Sequence, residues 1–349
     1  MALILPPIPA LDERARAEAL KRHDTLTKPP GSLGRLEQLG AQLAAITGRS
    51  RPTVTLKAAL VFAADHGVVS EGVSAYPSDV TAQMVLNFLN GGAAINVLAR
   101  QASARVAVVD IGVARDLPQH PQLYSRKIAA GTRNMAAGPA MTRPQAEAAI
   151  HVGMTIFEAE YAKGLDLVAT GDMGIGNTTA SAAIVAAMTR RAPAEVTGRG
   201  TGIDEAGLAR KIATIERALA VNAPDANDAI DVVAKVGGLE IAGLAGVIIG
   251  AAARRVPVVV DGFISSAAAL IACGICPEVK QYLFAGHLSV EKGHAVALEF
   301  LGLEPLLTLD MRLGEGTGAV LAFHLLEAAA RIISEMATFS EAGVSSRPS

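Results

Sequence analysis

Six short apolar runs recur along the chain: LKAALVFAAD (56–65), RVAVVDIGV (105–113), LDLVATGD (165–172), VPVVVDGF (256–263), QYLFAGH (281–287) and LLTLDMRLGEG (306–316). Each is aliphatic or β-branched and of strand length, and the stretches between them are long enough for crossover helices. That alternation predicts βαβ units and an α/β fold, a Rossmann-like parallel sheet flanked by helices. Each run also ends in glycine beside a polar or acidic residue: ADHG (64–67), DIG (110–112), GDMG (171–174), DGF (261–263), AGH (285–287) and GEG (314–316). In an open parallel sheet these are the carboxyl ends, where ligands bind in a crevice. Asp65, Asp110, Asp172, Asp261 and Glu315 are therefore expected along one rim. For any one of them the plain alternative is a cap on the following helix, but recurrence at nearly every run favours a site.

Outside these units the periodicity is helical. Residues 10–23 and 33–47 read as amphipathic helices joined by TLTKPPGS, with Ser32 placed to cap the second. The segment TGAVLAFHLLEAAARIISEMATF is a strong helix pattern, and the tail EAGVSSRPS is expected to be loose. The chain ends thus predict a second, smaller helical domain from residues 1–55 plus 317–349, beside a large α/β catalytic domain over 56–316.

Charge narrows the function classes. Charged residues are 18% of the chain, the formal net charge is -2 and there is no Trp, so no basic nucleic-acid surface is expected. The hydrophobic fraction of 51% suits a large core or self-association. Charges or glycines interrupt every apolar stretch before the ~18 residues a membrane helix needs, and the amino terminus lacks a basic flank. A cytoplasmic protein is expected. Cys273 and Cys276 read as small core residues, and two free thiols suit a reducing compartment.

Three segments carry candidate chemistry. In GDMGIGNTT (171–179) the glycines allow close backbone approach, and Thr178 or Thr179 is placed to cap a helix whose first N–H groups face an anion. No lysine follows the last glycine, and the G-x-G-x-x-G spacing is incomplete, so it is neither a Walker loop nor a dinucleotide fingerprint. A tight strand-to-helix turn explains it equally well. In MRLGEGTGAVLAF, Glu315 stands ahead of the last helix, where the dipole favours the carboxylate; a general base and an exposed dipole partner are the two readings. In the segment that opens FAADHGVVSEG, His66 beside Asp65 lacks a second histidine at ligand spacing, so a structural hydrogen-bonding role is expected. His287 and His294 in GHLSVEKGH make a poor zinc signature, while Ser289, Lys292 and the more distant Lys211 suit phosphate contacts.

Together the motifs KPPGSLGRLE (28–37), ADHGV (64–68), GPAM (138–141), GDMGIGNTT, KVGGLEIAGLAG (235–246), VVVDGFISSAAAL (259–270), SVEKGH and MRLGEGTGA make the chain resemble one family. It is the nicotinate-nucleotide:dimethylbenzimidazole phosphoribosyltransferases of cobalamin biosynthesis, and the likeness runs collinearly from about Asp24 to Met336. The resemblance implies transfer of phosphoribosyl from nicotinate mononucleotide to 5,6-dimethylbenzimidazole with inversion at C1′, giving α-ribazole 5′-phosphate and nicotinate. It implies a homodimer and neither metal nor cofactor. By correspondence the catalytic base is Glu315, with Asp172 as a helper acid where the family carries Glu. The phosphoribosyl anchor falls on Gly174, Gly176, Asn177, Lys211, Gly262 and Ser289, and the base pocket on Tyr76, Gln83 and Leu313. Alternatives are a related transferase for another aromatic base, a Rossmann-fold dehydrogenase, for which the fingerprint is missing, and a non-enzymatic nucleotide sensor, which needs no carboxylate at the reacting centre.

Overall fold

A computed structural model describes residues 3–345. Helices α1 (Glu13–Thr25) and α2 (Arg35–Thr47) precede β1 (Lys57–Ala64). There follow α3 (Asp79–Leu89), α4 (Ala94–Gln101), β2 (Ala104–Gly112), β3 (Leu123–Ser125), α5 (Arg143–Tyr161) and β4 (Leu167–Met173). Next come α6 (Asn177–Thr189), the single turn α7 (Pro193–Val196), α8 (Glu205–Asn222), α9 (Ala229–Val236) and α10 (Leu239–Ala253). The chain continues through β5 (Val258–Val260), α11 (Phe263–Ile275), β6 (Leu283–Leu288), α12 (Lys292–Leu301), β7 (Pro305–Thr308), α13 (Thr317–Glu335) and α14 (Phe339–Ala342).

The strands form one sheet in the order β3-β2-β1-β4-β5-β6-β7, and every neighbouring pair is parallel. This is the α/β sheet with flanking helices that the six apolar runs predict. All of β1 is buried, as a central strand covered on both faces must be. Both edge strands differ from expectation. The last strand stops at Thr308, because Asp310, Gly314, Glu315 and Gly316 all have positive φ and leave extended geometry. Strand β3 has only three residues and no apolar run to announce it.

Nearly every residue of α10 is buried, and it lies against α5. Glycines set their spacing: a Cβ on Gly153 would strike the Gly243 carbonyl, and one on Gly246 would strike the Ile150 carbonyl. The KVGGLEIAGLAG motif therefore serves backbone-to-backbone packing. Around this contact Leu239, Ile241, Leu244, Val247, Ile248 and Ile249 are fully buried, each stabilising by roughly 1.5–3 kcal/mol.

At the chain ends α1 and α2 pair and lean on α13, with Ala19, Ala44 and Ile333 in contact. Arg22 donates to the Ile333 and Met336 carbonyls at 2.5 and 3.2 Å, which ties down the carboxyl end of α13. Lys28 and the Leu33 amide both bond Glu37, at 2.8 and 3.0 Å, so KPPGSLGRLE is a folded brace for α2. Ser32 is not the cap of α2: its amide closes a turn on Pro29, and Gly34 occupies the cap position without a side-chain bond. Among the described residues α13 is the one helix long and apolar enough to cross a membrane. Its Ala319, Val320, Ala322, Phe323 and Leu326 are buried in the protein core. The tail begins as the short α14; residues 346–349 lie outside the described residues, as do 1 and 2.

Candidate active site

The carboxyl ends of β4, β5 and β6 open onto a cavity of about 320 Å³. Three helices start beside it: α6 after Gly176, α11 after Gly262 and α12 after Glu291. Among the described residues none of the three has a side-chain cap bond; a helix start of this kind favours an anion, which suits α6 and α11, whereas α12 begins at the acid Glu291. Asp172, Gly174, Asn177, Gly262, Ser289, Tyr76 and Leu313 all line this cavity. These seven come from segments scattered along the sequence, and the sheet gathers them.

Asp172 lines the cavity, whereas Glu315 does not: only its neighbour Gly314 is part of the wall, and the Glu315 side chain lies behind it. Asp172 is 5% exposed, and its Oδ2 accepts from Asn177 Nδ2 at 2.9 Å while Oδ1 has no partner among the described residues. Burial pushes its pKa well above the usual carboxylate range, and the charges of Asp261 and Glu240 push it further than the Asn177 bond lowers it. Glu315 follows the cavity-lining Gly314 with φ at 63°, and its Oε2 accepts from the Ile95 amide at the start of α4 at 3.2 Å. Burial raises its pKa too, opposed by the Ile95 bond and assisted by Asp261. The expectation that its own helix start would hold it ionised is corrected: the side chain is buried and turned to α4. The backbones are close, with the Glu315 amide donating to the Asp172 carbonyl at 3.3 Å.

Some expected anchors sit one layer back. Lys211 is 1% exposed and reaches Thr178 Oγ1 at 2.8 Å and the Gly198 carbonyl at 3.3 Å, with Thr178 rather than the ammonium lining the cavity. Burial has lowered its pKa to about 8, against the pull of Glu291. Gly176 has φ at 93° and packs on Val69 and His66, so its freedom serves the turn. Thr178 and Thr179 do not cap α6: the first accepts from Lys211, and the Thr179 hydroxyl is buried without a partner among the described residues. Gln83 lies on α3, not in a loop, is exposed, and is outside the cavity lining; Lys292 is likewise exposed and outside it.

Three of the five rim acids have other work. Asp65 accepts from the Ala114 amide and Asp110 from the Val113 amide, closing the loop after β2. Asp261 accepts from the Gly316 and Ala319 amides at 3.2 and 2.9 Å, fixing the start of α13. His66 is a structural histidine, paired at 2.7 Å with Glu240, both fully buried side chains. Sequence reasoning missed that partner, and also missed Arg312, Thr201, His287 and Glu291 as cavity residues. For Arg312 a signal existed, its place beside Leu313; its guanidinium donates to the Gly200 carbonyl at 2.9 Å and brings two loops together over the cavity.

A phosphoribosyltransferase family model matches residues 8–344. A curated protein of Chloroflexus aggregans named nicotinate-nucleotide-dimethylbenzimidazole phosphoribosyltransferase is 63% identical over 337 residues, covering 97% of this chain and 96% of the relative. One of the same name from Geobacter sulfurreducens is 57% identical over 340 residues, covering 97% of each. A crystal structure of CobT from Thermus thermophilus superposes with a TM-score of 0.93 at 53% identity, covering 96% of this chain and all of that one.

Proposed function

The chain belongs to this phosphoribosyltransferase family, and we propose from that premise that its cavity holds nicotinate mononucleotide and delivers C1′ to dimethylbenzimidazole. The enzyme is a pentosyltransferase. One observation supports this reading above others: the uncapped starts of α6 and α11 and the Lys211–Thr178 pair lie beside one cavity that also holds Asp172 and Gly314, the neighbour of Glu315. The 5′-phosphate sits on the helix starts of α6 and α11, with Asn177, Gly262 and Ser289 in contact, Lys211 supplying charge through Thr178, and Gly174 and Gly176 shaping the turn. Anchored there, C1′ is held between the two rings, and positioning of this kind supplies much of the barrier reduction.

In the reaction the bond from C1′ to the nicotinate ring nitrogen breaks, and its electron pair stays on that nitrogen. The ring is a pyridinium before cleavage and neutral after, so no acid has to protonate it. A benzimidazole nitrogen lone pair attacks C1′ from the opposite face, which inverts the centre. The attacking ring then carries positive charge and releases its other N–H proton to Glu315. Glu315 fits that role because the Ile95 amide stabilises its carboxylate form in an apolar surrounding, where a proton is readily taken up. Asp172 holds Asn177 and lies across from the pyridinium, whose positive charge favours its ionised form. Tyr76 and Leu313 flank the incoming base, whereas Gln83, exposed on α3 and outside the cavity lining, is left without that role. A cytoplasmic homodimer is the assembly we propose, testable by sedimentation equilibrium.

The test is incubation with nicotinate mononucleotide and a panel of aromatic bases, followed by product mass and anomeric configuration. An α-riboside phosphate with equimolar nicotinate is expected. A β-anomer, or nicotinate release without an acceptor base, would refute the reading.

A further inference from the structure

Phosphate anchoring and proton transfer leave one buried acid of the cavity unused. Glu291 is 6% exposed and lines the cavity; its Oε2 is enclosed beneath Gly198 with no hydrogen-bond partner among the described residues, and none of these residues bonds Oε1, the oxygen left for a guest. Such a group is costly to bury unless something completes it. Its position is built and fixed. The Ser289 amide donates to His294 Nδ1 at 2.8 Å, the other ring nitrogen meets Ser266 Oγ at 3.0 Å, and the His294 amide donates back to the Glu291 carbonyl at 2.9 Å. His294 is held neutral, its pKa lowered to about 3 by burial and then by His287, so the loop keeps one hydrogen-bond pattern across the working pH range. Gly198 has no side chain, and a Cβ there would collide with the Glu291 carboxylate.

The guest of Glu291 must bring donors. A phosphate cannot be that guest, since both are anions. Lys211 is close enough to feel the charge, but its ammonium bonds Thr178 and Gly198. The donor-bearing part of a nucleoside monophosphate next to its phosphate is the sugar. We propose that Glu291 accepts hydrogen bonds from the ribose hydroxyls of the bound nucleotide, and so makes this site select ribonucleotides over deoxyribonucleotides. The inference rests on the reading of the cavity as the nicotinate mononucleotide site.

The experiment compares kcat/KM for nicotinate mononucleotide with its 2′-deoxy and 3′-deoxy analogues, in the wild type, Glu291→Gln and Glu291→Asp. Wild-type turnover of the parent nucleotide checks the underlying reading separately. The wild type is expected to prefer the ribose form over at least one analogue by roughly tenfold or more, the ratio one charge-assisted hydrogen bond supplies. Glu291→Gln should shrink that ratio several-fold. Glu291→Asp keeps the charge beside Lys211 but withdraws the oxygens, and should also shrink it. A wild type that does not discriminate overturns the proposal. So do variants that lose activity on all three nucleotides equally with the ratio intact, for then Glu291 serves only to balance Lys211.

Discussion

Gly171 touches no substrate, yet replacing it with alanine should disable the enzyme. A Cβ at this position in β4 would lie 2.8 Å from the Glu315 carbonyl carbon and 3.0 Å from the Gly316 nitrogen, and nearer still to the Glu315 carbonyl oxygen. Ordinary contact begins at 3.4 Å, and the opposing atoms are backbone, which cannot rotate aside. The loop carrying Glu315 must therefore retreat by on the order of 1 Å, the scale at which a catalytic group loses about 100-fold in rate. It is also clamped from behind by Asp261, which holds the Gly316 and Ala319 amides, so part of the misfit becomes strain. Overpacking of this kind costs about 1–3 kcal/mol, and a melting temperature lower by several degrees is expected. Steady-state release of nicotinate should show kcat down about 100-fold with little change in KM for nicotinate mononucleotide, since the proposed phosphate anchor is on α6 and α11. A Gly171→Ala enzyme with wild-type kcat and unchanged melting would refute the claim that the β4–Glu315 contact sets the position of the base.

Glu315→Gln should lower kcat by about 100-fold or more while calorimetry finds nicotinate mononucleotide still bound. Asp172→Ala should cost less than Glu315→Ala; the reverse order in kinetic assays would make Asp172 the principal proton acceptor. In the proposed role Lys211 supports phosphate through Thr178 as an ammonium, and its value near 8 means that the charged fraction is complete well below that pH and falls as pH rises through it. KM for nicotinate mononucleotide should thus climb above pH 8, and in Lys211→Met it should be high throughout with the alkaline limb gone. Burial alone would lower the pKa of His66, but Glu240 more than offsets this and the net shift is upward from 6.5. The pair's stabilisation is then full below pH 6.5 and is lost as pH rises through the elevated folded value. Melting curves of His66→Ala should show a loss of about 3–5 kcal/mol on the acid side, narrowing with rising pH.

The family was legible in the motifs, and the parallel sheet in the spacing of the apolar runs, because burial on both faces of a strand demands an unbroken apolar segment that leaves a mark in sequence. Glu315 and Asp172 stood out only through the resemblance to the family, since a glycine-flanked acid at a strand end also serves to hold backbone. Local pattern failed where the decisive partner lies far along the chain. Nothing near His66 announces Glu240, which is 174 residues away. The rim acids Asp65, Asp110 and Asp261 look alike in sequence, and only the loops folded over them decide that they fix backbone. Lys211 sits in an ordinary amphipathic helix, and packing alone buries its ammonium behind Thr178. Sequence by itself determined the main strands and helices and the family, since these depend on residue type, motif and short-range periodicity. Tertiary structure decided which side chains share a cavity, which way each points and how its proton is held. Those properties arise from burial and from neighbours that only the folded sheet brings together.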